Sequence, residues 1–152
     1  MLWAGYHVCI VDNLSNCTHP DEVLKRLGEL SGRPDHMEFV KADLRDAAAL
    51  REVFGRRAYE SVIHFAGFKA VGESRLRPLL YYDNNISGTV TLLQVMAEHG
   101  CKSLVFSSSC TVYGESPPPL AEDAPVGRGV TNAYGRTKFM IEEILRDLHH
   151  AD

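Results

Sequence analysis

Leu104-Val105-Phe106-Ser107-Ser108-Ser109-Cys110-Thr111-Val112-Tyr113-Gly114 decides the fold. The run opens at Cys101 as an apolar strand and turns to hydroxyls at its C-terminal end. Open α/β sheets place their ligand sites at that end of their strands. Downstream, Thr131-Asn132-Ala133-Tyr134-Gly135-Arg136-Thr137-Lys138 starts a helical run to Leu148, with Phe139, Ile141, Ile144, Leu145 and Leu148 as its apolar positions. Tyr134 and Lys138 are four apart and share a helix face. A phenol ionises near pH ~10, and lowering that by about three units takes roughly 4 kcal/mol of differential stabilisation. A nearby ammonium supplies part of it, and a second positive charge would add to it. Tyr-x-x-x-Lys alone is common by chance, as a surface tyrosine beside a solvated lysine. The serine-rich strand end changes the balance, because Ser109 and Thr111 are placed to hold a hydroxyl that Tyr134 deprotonates.

The chain has 152 residues, 45% hydrophobic and 24% charged, which suits one modest globular domain. A net charge of -4 without a basic run argues against nucleic acid. Cys9, Cys17, Cys101 and Cys110 form no C-x-x-C pair, so reduced thiols are expected rather than a disulfide frame or a metal site. No apolar stretch has membrane-spanning length and no signal peptide is visible, which predicts a cytoplasmic protein without a membrane partner. Met1 to His7 reads as the tail of a helix with a glycine stop.

Strands and helices alternate along the chain. A strand over Tyr6 to Val11 is closed by Asp12-Asn13, an Asp-Asn turn in its simplest reading. Pro20 to Leu30 predicts a helix with Val23, Leu24, Leu27 and Leu30 on one apolar stripe. Met37 to Ala42 is the next strand, followed by Asp43-Leu44, and Asp43 is placed to cap a helix from about Arg45 to Phe54. Ser61 to Phe65 is a strand closed by Ala66-Gly67, small residues that let a flat ligand approach the backbone. Lys69 then reads as a loop lysine. Pro78 to Glu98 predicts one long helix with Leu79, Ile86, Val90, Leu93 and Ala97 inward. Asn84 and Asn85 interrupt it. Asparagine is a poor helix former, so at least one should bond something, while a solvated polar face is open for Asn85. Glu115 to Thr131 is a loop rich in Pro and Gly, and His149-His150 read as solvated. The alternation predicts a doubly wound α/β fold with a parallel sheet.

These residues resemble a known family, the UDP-glucose 4-epimerases, which are extended short-chain dehydrogenase/reductases of Rossmann-like fold. The resemblance rests on Asp12-Asn13, Asp43-Leu44, His64 to Ser74, Tyr81-Tyr82-Asp83-Asn84-Asn85, Ser107 to Gly114, and Tyr134 to Lys138, and covers nearly the whole chain. It implies NAD as cofactor. Asp12 would meet the adenosine ribose, Asn13 would belong to the same cofactor site, and Asp43 and Leu44 would meet the adenine. Phe65, Ala66, Gly67, Lys69 and Asn84 would line the rest of the NAD site with Tyr134 and Lys138. An acid at the end of the second strand, with no arginine in Leu14-Ser15-Asn16-Cys17, favours NAD over NADP. Lys69, Ser109, Cys110, Thr111 and Tyr134 would contact a UDP-sugar. The implied reaction interconverts UDP-glucose and UDP-galactose. Tyr134 as phenolate removes the 4-hydroxyl proton while hydride leaves C4. The ketose then turns over in the site, and hydride returns to the opposite face. Lys138 would lower the Tyr134 pKa, and Ser109 would bridge Tyr134 to the sugar.

The family pattern is incomplete at both ends. No Gly-x-x-Gly-x-x-Gly occurs, and Gly127-Arg128-Gly129 is no substitute because it follows no strand. Residues 1–152 are therefore expected to be a partial NAD-binding domain, without the first strand, its glycine loop or the C-terminal substrate domain. The missing strand should leave a slot of roughly two strand spacings of ~4.8 Å in the sheet. Poor NAD binding by this chain follows as an expectation, as does a homodimer for the complete enzyme. Rival readings are a UDP-arabinose 4-epimerase, a decarboxylase, a non-catalytic NAD-binding fragment, or a dehydratase. The last is weakened because Cys110-Thr111-Val112 carries no acid where elimination would need one.

Overall fold

The computed structural model describes residues 1–151. Two parallel strand pairs organise the chain. Strand β1 (Val8–Asp12) pairs with β2 (Met37–Lys41), in register from Val8 with Met37 to Asp12 with Lys41. Strand β3 (Ser61–His64) pairs with β4 (Ser103–Phe106), from Ser61 with Ser103 to His64 with Phe106. Among the described residues no ladder joins one pair to the other, so the parallel α/β architecture stands with the expected break in the sheet. Parallel neighbours need crossover helices, here α1 (Pro20–Ser31) between β1 and β2, and α3 (Val71–Leu76), α4 (Pro78–Tyr81) and α5 (Gly88–Glu98) between β3 and β4, while α2 (Ala47–Gly55) links the two pairs. Helix α6 (Ala133–Ala151) closes the chain.

One core serves both strand pairs. Leu50 and Phe54 of α2 meet Leu92, Val95 and Met96 of α5 together with Cys101. Val11 of β1, Val62 of β3 and Leu104 of β4 pack against the same cluster. Leu50 and Val95 are almost fully buried, and each such side chain contributes about 2 kcal/mol of apolar burial. A shared core couples the two ladders although no backbone hydrogen bond does.

Three expectations need correction. The α1 stripe does not face the core: Val23, Leu27 and Leu30 are exposed. The helix packs instead through Gly28, where a Cβ would sit 3.6 Å from Pro34 and 3.8 Å from Met37. Those are ordinary van der Waals distances, so the backbone at Gly28 rests directly on the turn into β2. Second, Asp43 is not the cap of α2. That helix starts at Ala47, and Asp46 accepts the Ala49 N–H at 3.0 Å. Third, the Pro78–Glu98 helix is not one regular α-helix. A π-helical turn, Tyr82–Ser87, separates α4 from α5. The buried positions become Tyr81, Asn85, Gly88, Thr89, Leu92, Val95 and Met96, while Leu79 and Ala97 are exposed. Two polar residues in that buried row hide it from a hydrophobic periodicity.

Candidate active site

The C-terminal ends of β1, β2 and β3 open onto a cavity of about 220 Å³. All nine residues proposed outside α6 for the cofactor line it: Asp12, Asn13, Asp43, Leu44, Phe65, Ala66, Gly67, Lys69 and Asn84. Ser15 and Asn16 line it too, and the sequence offered no sign of them beyond their place after Asp12-Asn13. Asp12 is exposed and spends one carboxylate oxygen on the Leu14 N–H at 2.7 Å. Leu14 sits at φ 61, uncommon for a residue with a branched side chain, so the turn after β1 is folded tightly around that acid.

Asp43 is bound on both oxygens. It accepts from the Arg45 N–H and side chain at 2.9 Å and from Asn13 Nδ2 at 2.8 Å. The Arg45 side-chain bonds hold its carboxyl well below the usual carboxylate range. Arg45 also donates to Asp83 at 2.6 Å, which ties the β2 turn to the π-helical segment.

Of the two asparagines, Asn84 faces the cavity and Asn85 is buried. Asn85 Oδ1 accepts the Phe68 N–H at 2.8 Å, and its amide donates to the Phe68 carbonyl and to Thr137 Oγ1, each at 3.0 Å. Asn85 therefore joins the loop that carries Lys69 to the helix that carries Tyr134 and Lys138. It is not a solvated polar residue. Gly67, at φ 141, approaches Asn85 so closely that a Cβ would lie 3.1 Å from Oδ1. π-Helical turns recur at functional sites, and in this one the amide of Asn84, at the cavity wall, donates to Asn85 Oδ1 at 2.9 Å. The loop is held again by Tyr81, whose hydroxyl bonds the Ala70 backbone at 3.1 and 3.0 Å and Glu73 at 2.8 Å. Burial and that carboxylate push its pKa up to about 12.

The second group of proposed residues sits beyond β4. The Lys138 side chain is buried, and its ammonium donates to the Ser107 carbonyl at 2.8 Å and lies 4.6 Å from the Phe106 ring centre. Burial lowers its pKa to about 8. Tyr134 lies one turn earlier and is buried as well. Among the described residues no hydrogen bond joins its hydroxyl to Ser109 or Lys138. Ser109 Oγ instead accepts from Thr111 N at 3.2 Å and from Thr111 Oγ1 at 3.0 Å. Catalytic hydrogen bonds are often loose before a substrate arrives. Cys110 is exposed beside this turn, and neither it nor Ser109, Thr111, Tyr134 or Lys138 lines the cavity at the ends of β1, β2 and β3. His64 is buried behind the site, bonded to Thr89 Oγ1 at 2.8 Å, and burial with the Lys138 charge lowers its pKa to about 4. It is a neutral packing residue at neutral pH.

Among the described residues no group of three or more His, Cys, Asp or Glu side chains is arranged to hold a metal, and no helix is long and apolar enough to cross a membrane. The chain is 51% identical over 154 residues to UDP-glucose 4-epimerase 1 of Oryza sativa subsp. japonica, covering 100% of this chain and 42% of that protein. It is 50% identical over 153 residues to UDP-glucose 4-epimerase of Bacillus subtilis, covering 100% of this chain and 43% of that protein. The crystal structure of UDP-glucose 4-epimerase from Bifidobacterium longum in complex with NAD+ and UDP superposes with a TM-score of 0.93 at 45% identity, over 99% of this chain and 44% of that one. The fold is thus the Rossmann-like α/β fold of those enzymes, and the chain spans about two-fifths of the length of the relatives it matches. The model of the NAD dependent epimerase/dehydratase family matches residues 1–152, and the chain belongs to that family.

Proposed function

We propose that this chain supplies the NAD site and the proton-transfer residues of an enzyme that interconverts UDP-glucose and UDP-galactose through transient oxidation at C4. The observation that carries the reading is Lys138. An ammonium is kept out of water, against Ser107 and Phe106, one helical turn from a buried tyrosine and at the C-terminal end of a parallel strand. Burying a charge with one hydrogen-bond acceptor is costly, so the position is better explained by chemistry than by stability.

The residues present fit NAD. Asp12 keeps one carboxylate oxygen without a hydrogen bond among the described residues, which suits a ribose diol. Ala66 and Gly67 leave the cavity floor free of bulk, and Phe65 and Leu44 offer apolar surface to a flat base. NAD in that cavity supplies a reversible acceptor for the C4 hydride. Tyr134 takes the proton from the sugar 4-hydroxyl and returns it after the sugar has turned over. Lys138 stabilises the phenolate by its charge. Ser109 and Thr111 orient the hydroxyl, with Ser109 exchanging its Thr111 bond for one to the substrate. Lys69, on the loop that Asn85 secures, reaches the sugar side of the cavity.

The test joins this chain to the remaining parts of the Bacillus subtilis relative. Tyr134→Phe in that chimera abolishes the interconversion and leaves NAD bound, while near-normal turnover would remove Tyr134 from the base role. A cytoplasmic location and a homodimer belong to the same reading. The exposed Leu76 and Leu79, next to α6 with its exposed Met140, support pairing of two copies, and light scattering of the chimera reads it.

A further inference from the structure

The face of α6 that carries Tyr134 and Lys138 continues, at the same spacing of four, to Glu142. Three successive serines of the strand end meet this face or turn beside it. The Ser107 carbonyl accepts the Lys138 ammonium at 2.8 Å. The Ser108 hydroxyl donates to Glu142 Oε1. The Ser109 hydroxyl accepts from Thr111. Glu142 is largely buried, with its second oxygen 3.3 Å from the more exposed Arg146. The strand end is therefore fixed to the helix at two consecutive residues, once by its backbone and once by a side chain.

We propose that Glu142 is a positioning residue: by holding Ser108 it sets the Ser107 carbonyl against the Lys138 ammonium and the Ser109 hydroxyl beside Tyr134. The inference rests on reading Tyr134 and Lys138 as the reacting pair. A hydroxyl bonded to a carboxylate makes a strong, short link, and its neighbours on either side carry the two groups that the reaction needs in register. A carboxylate whose only task was to stabilise the helix would do so equally well through Arg146.

The test uses the purified chain with no NAD and no sugar, so an inert chain leaves it intact. The 15N shift of each lysine Nζ, read through the non-exchanging side-chain protons, gives a titration curve for each of the five lysines. His64 from β3 is coupled to Lys138 by charge, Tyr134 and Glu142 lie one turn away on the same α6 face, and of these the variants change only Glu142. Ser108→Ala keeps the carboxylate and removes the link, whereas Glu142→Gln removes the charge. Ser108→Ala should lower the Lys138 midpoint by about one unit, because the ammonium loses its well-placed acceptor, and Glu142→Gln, whose amide oxygen still accepts from Ser108, should lower it less. The other four midpoints and the far-UV spectrum should stay unchanged, and Glu142→Asp should restore part of the shift. A Lys138 midpoint that is unmoved in both variants overturns the proposal. A shift in Glu142→Gln with none in Ser108→Ala overturns it too, because charge alone would then be acting. Failure of Tyr134→Phe to stop turnover would instead strike the functional reading and leave this result standing.

Discussion

Lys138→Met should make the protein more stable. Lys138 is 5% exposed as a residue, and burial lowers its pKa from 10.5 to about 8. At 1.36 kcal/mol per unit, the charged form costs the folded state about 3 kcal/mol at pH 7. The sign follows from the direction of the shift. The folded pKa lies below the unfolded one, so the unfolded chain binds the proton more tightly. The cost is fully present below pH 8 and fades as pH rises towards 10.5. Methionine fills a similar volume without a charge, but leaves the half-buried Ser107 carbonyl without its donor, which costs about 1 kcal/mol. The net expectation is a gain of about 2 kcal/mol at pH 7 that shrinks to nearly nothing by pH ~10. Urea unfolding followed by far-UV circular dichroism at the two pH values measures it. A variant that is less stable at pH 7, or a gap independent of pH, would refute the reasoning. The lysine would then be a structural asset, and the case for a functional ammonium would weaken.

Other outcomes follow from the same geometry. His64, with its pKa lowered to about 4, is neutral in the fold and charges on unfolding. Stability should therefore fall by about 3 kcal/mol as pH drops from ~6.5 to ~4, and His64→Leu should flatten that limb in acid denaturation curves. Asn85→Ala strands the Phe68 N–H and carbonyl and should cost about 3 kcal/mol in urea. Asn84→Ala, which removes one bond to Asn85 at 2.9 Å, should cost no more than about 1 kcal/mol. Gly114, at φ 61, faces Arg128 O at 2.1 Å from an added Cβ, so Gly114→Ala should lower the melting temperature in calorimetry through a loss of about 3 kcal/mol or more.

The strand ends were legible in the sequence because each announces itself twice: an apolar run and then a residue type that fits the end of a parallel strand. Asp12, Asp43, Gly67 and Ser107 are all found that way, and the cavity that the first three outline was therefore foreseeable. What stayed hidden depends on partners distant in the chain. Asn85 reads as a surface residue until Phe68 and Thr137 are brought to it, and only the awkwardness of two adjacent asparagines in a helix hinted otherwise. The outward stripe of α1 misled because amphipathicity reveals a face and not what that face touches. The sequence put forward Asp43 as the cap of α2, but Asp46 takes that place while Asp43 is held by the Arg45 side chain.

The π-helical turn makes the segment between Tyr81 and Gly88 sensitive to its length more than to its letters. Removing any one residue there could restore ordinary helix, yet everything beyond it would rotate by about 100°. Either Tyr81 would swing away from Ala70 and Glu73, or Leu92 and Val95 would leave the interior. Variation among descendants of this chain should accordingly exchange side chains in that segment while sparing its count.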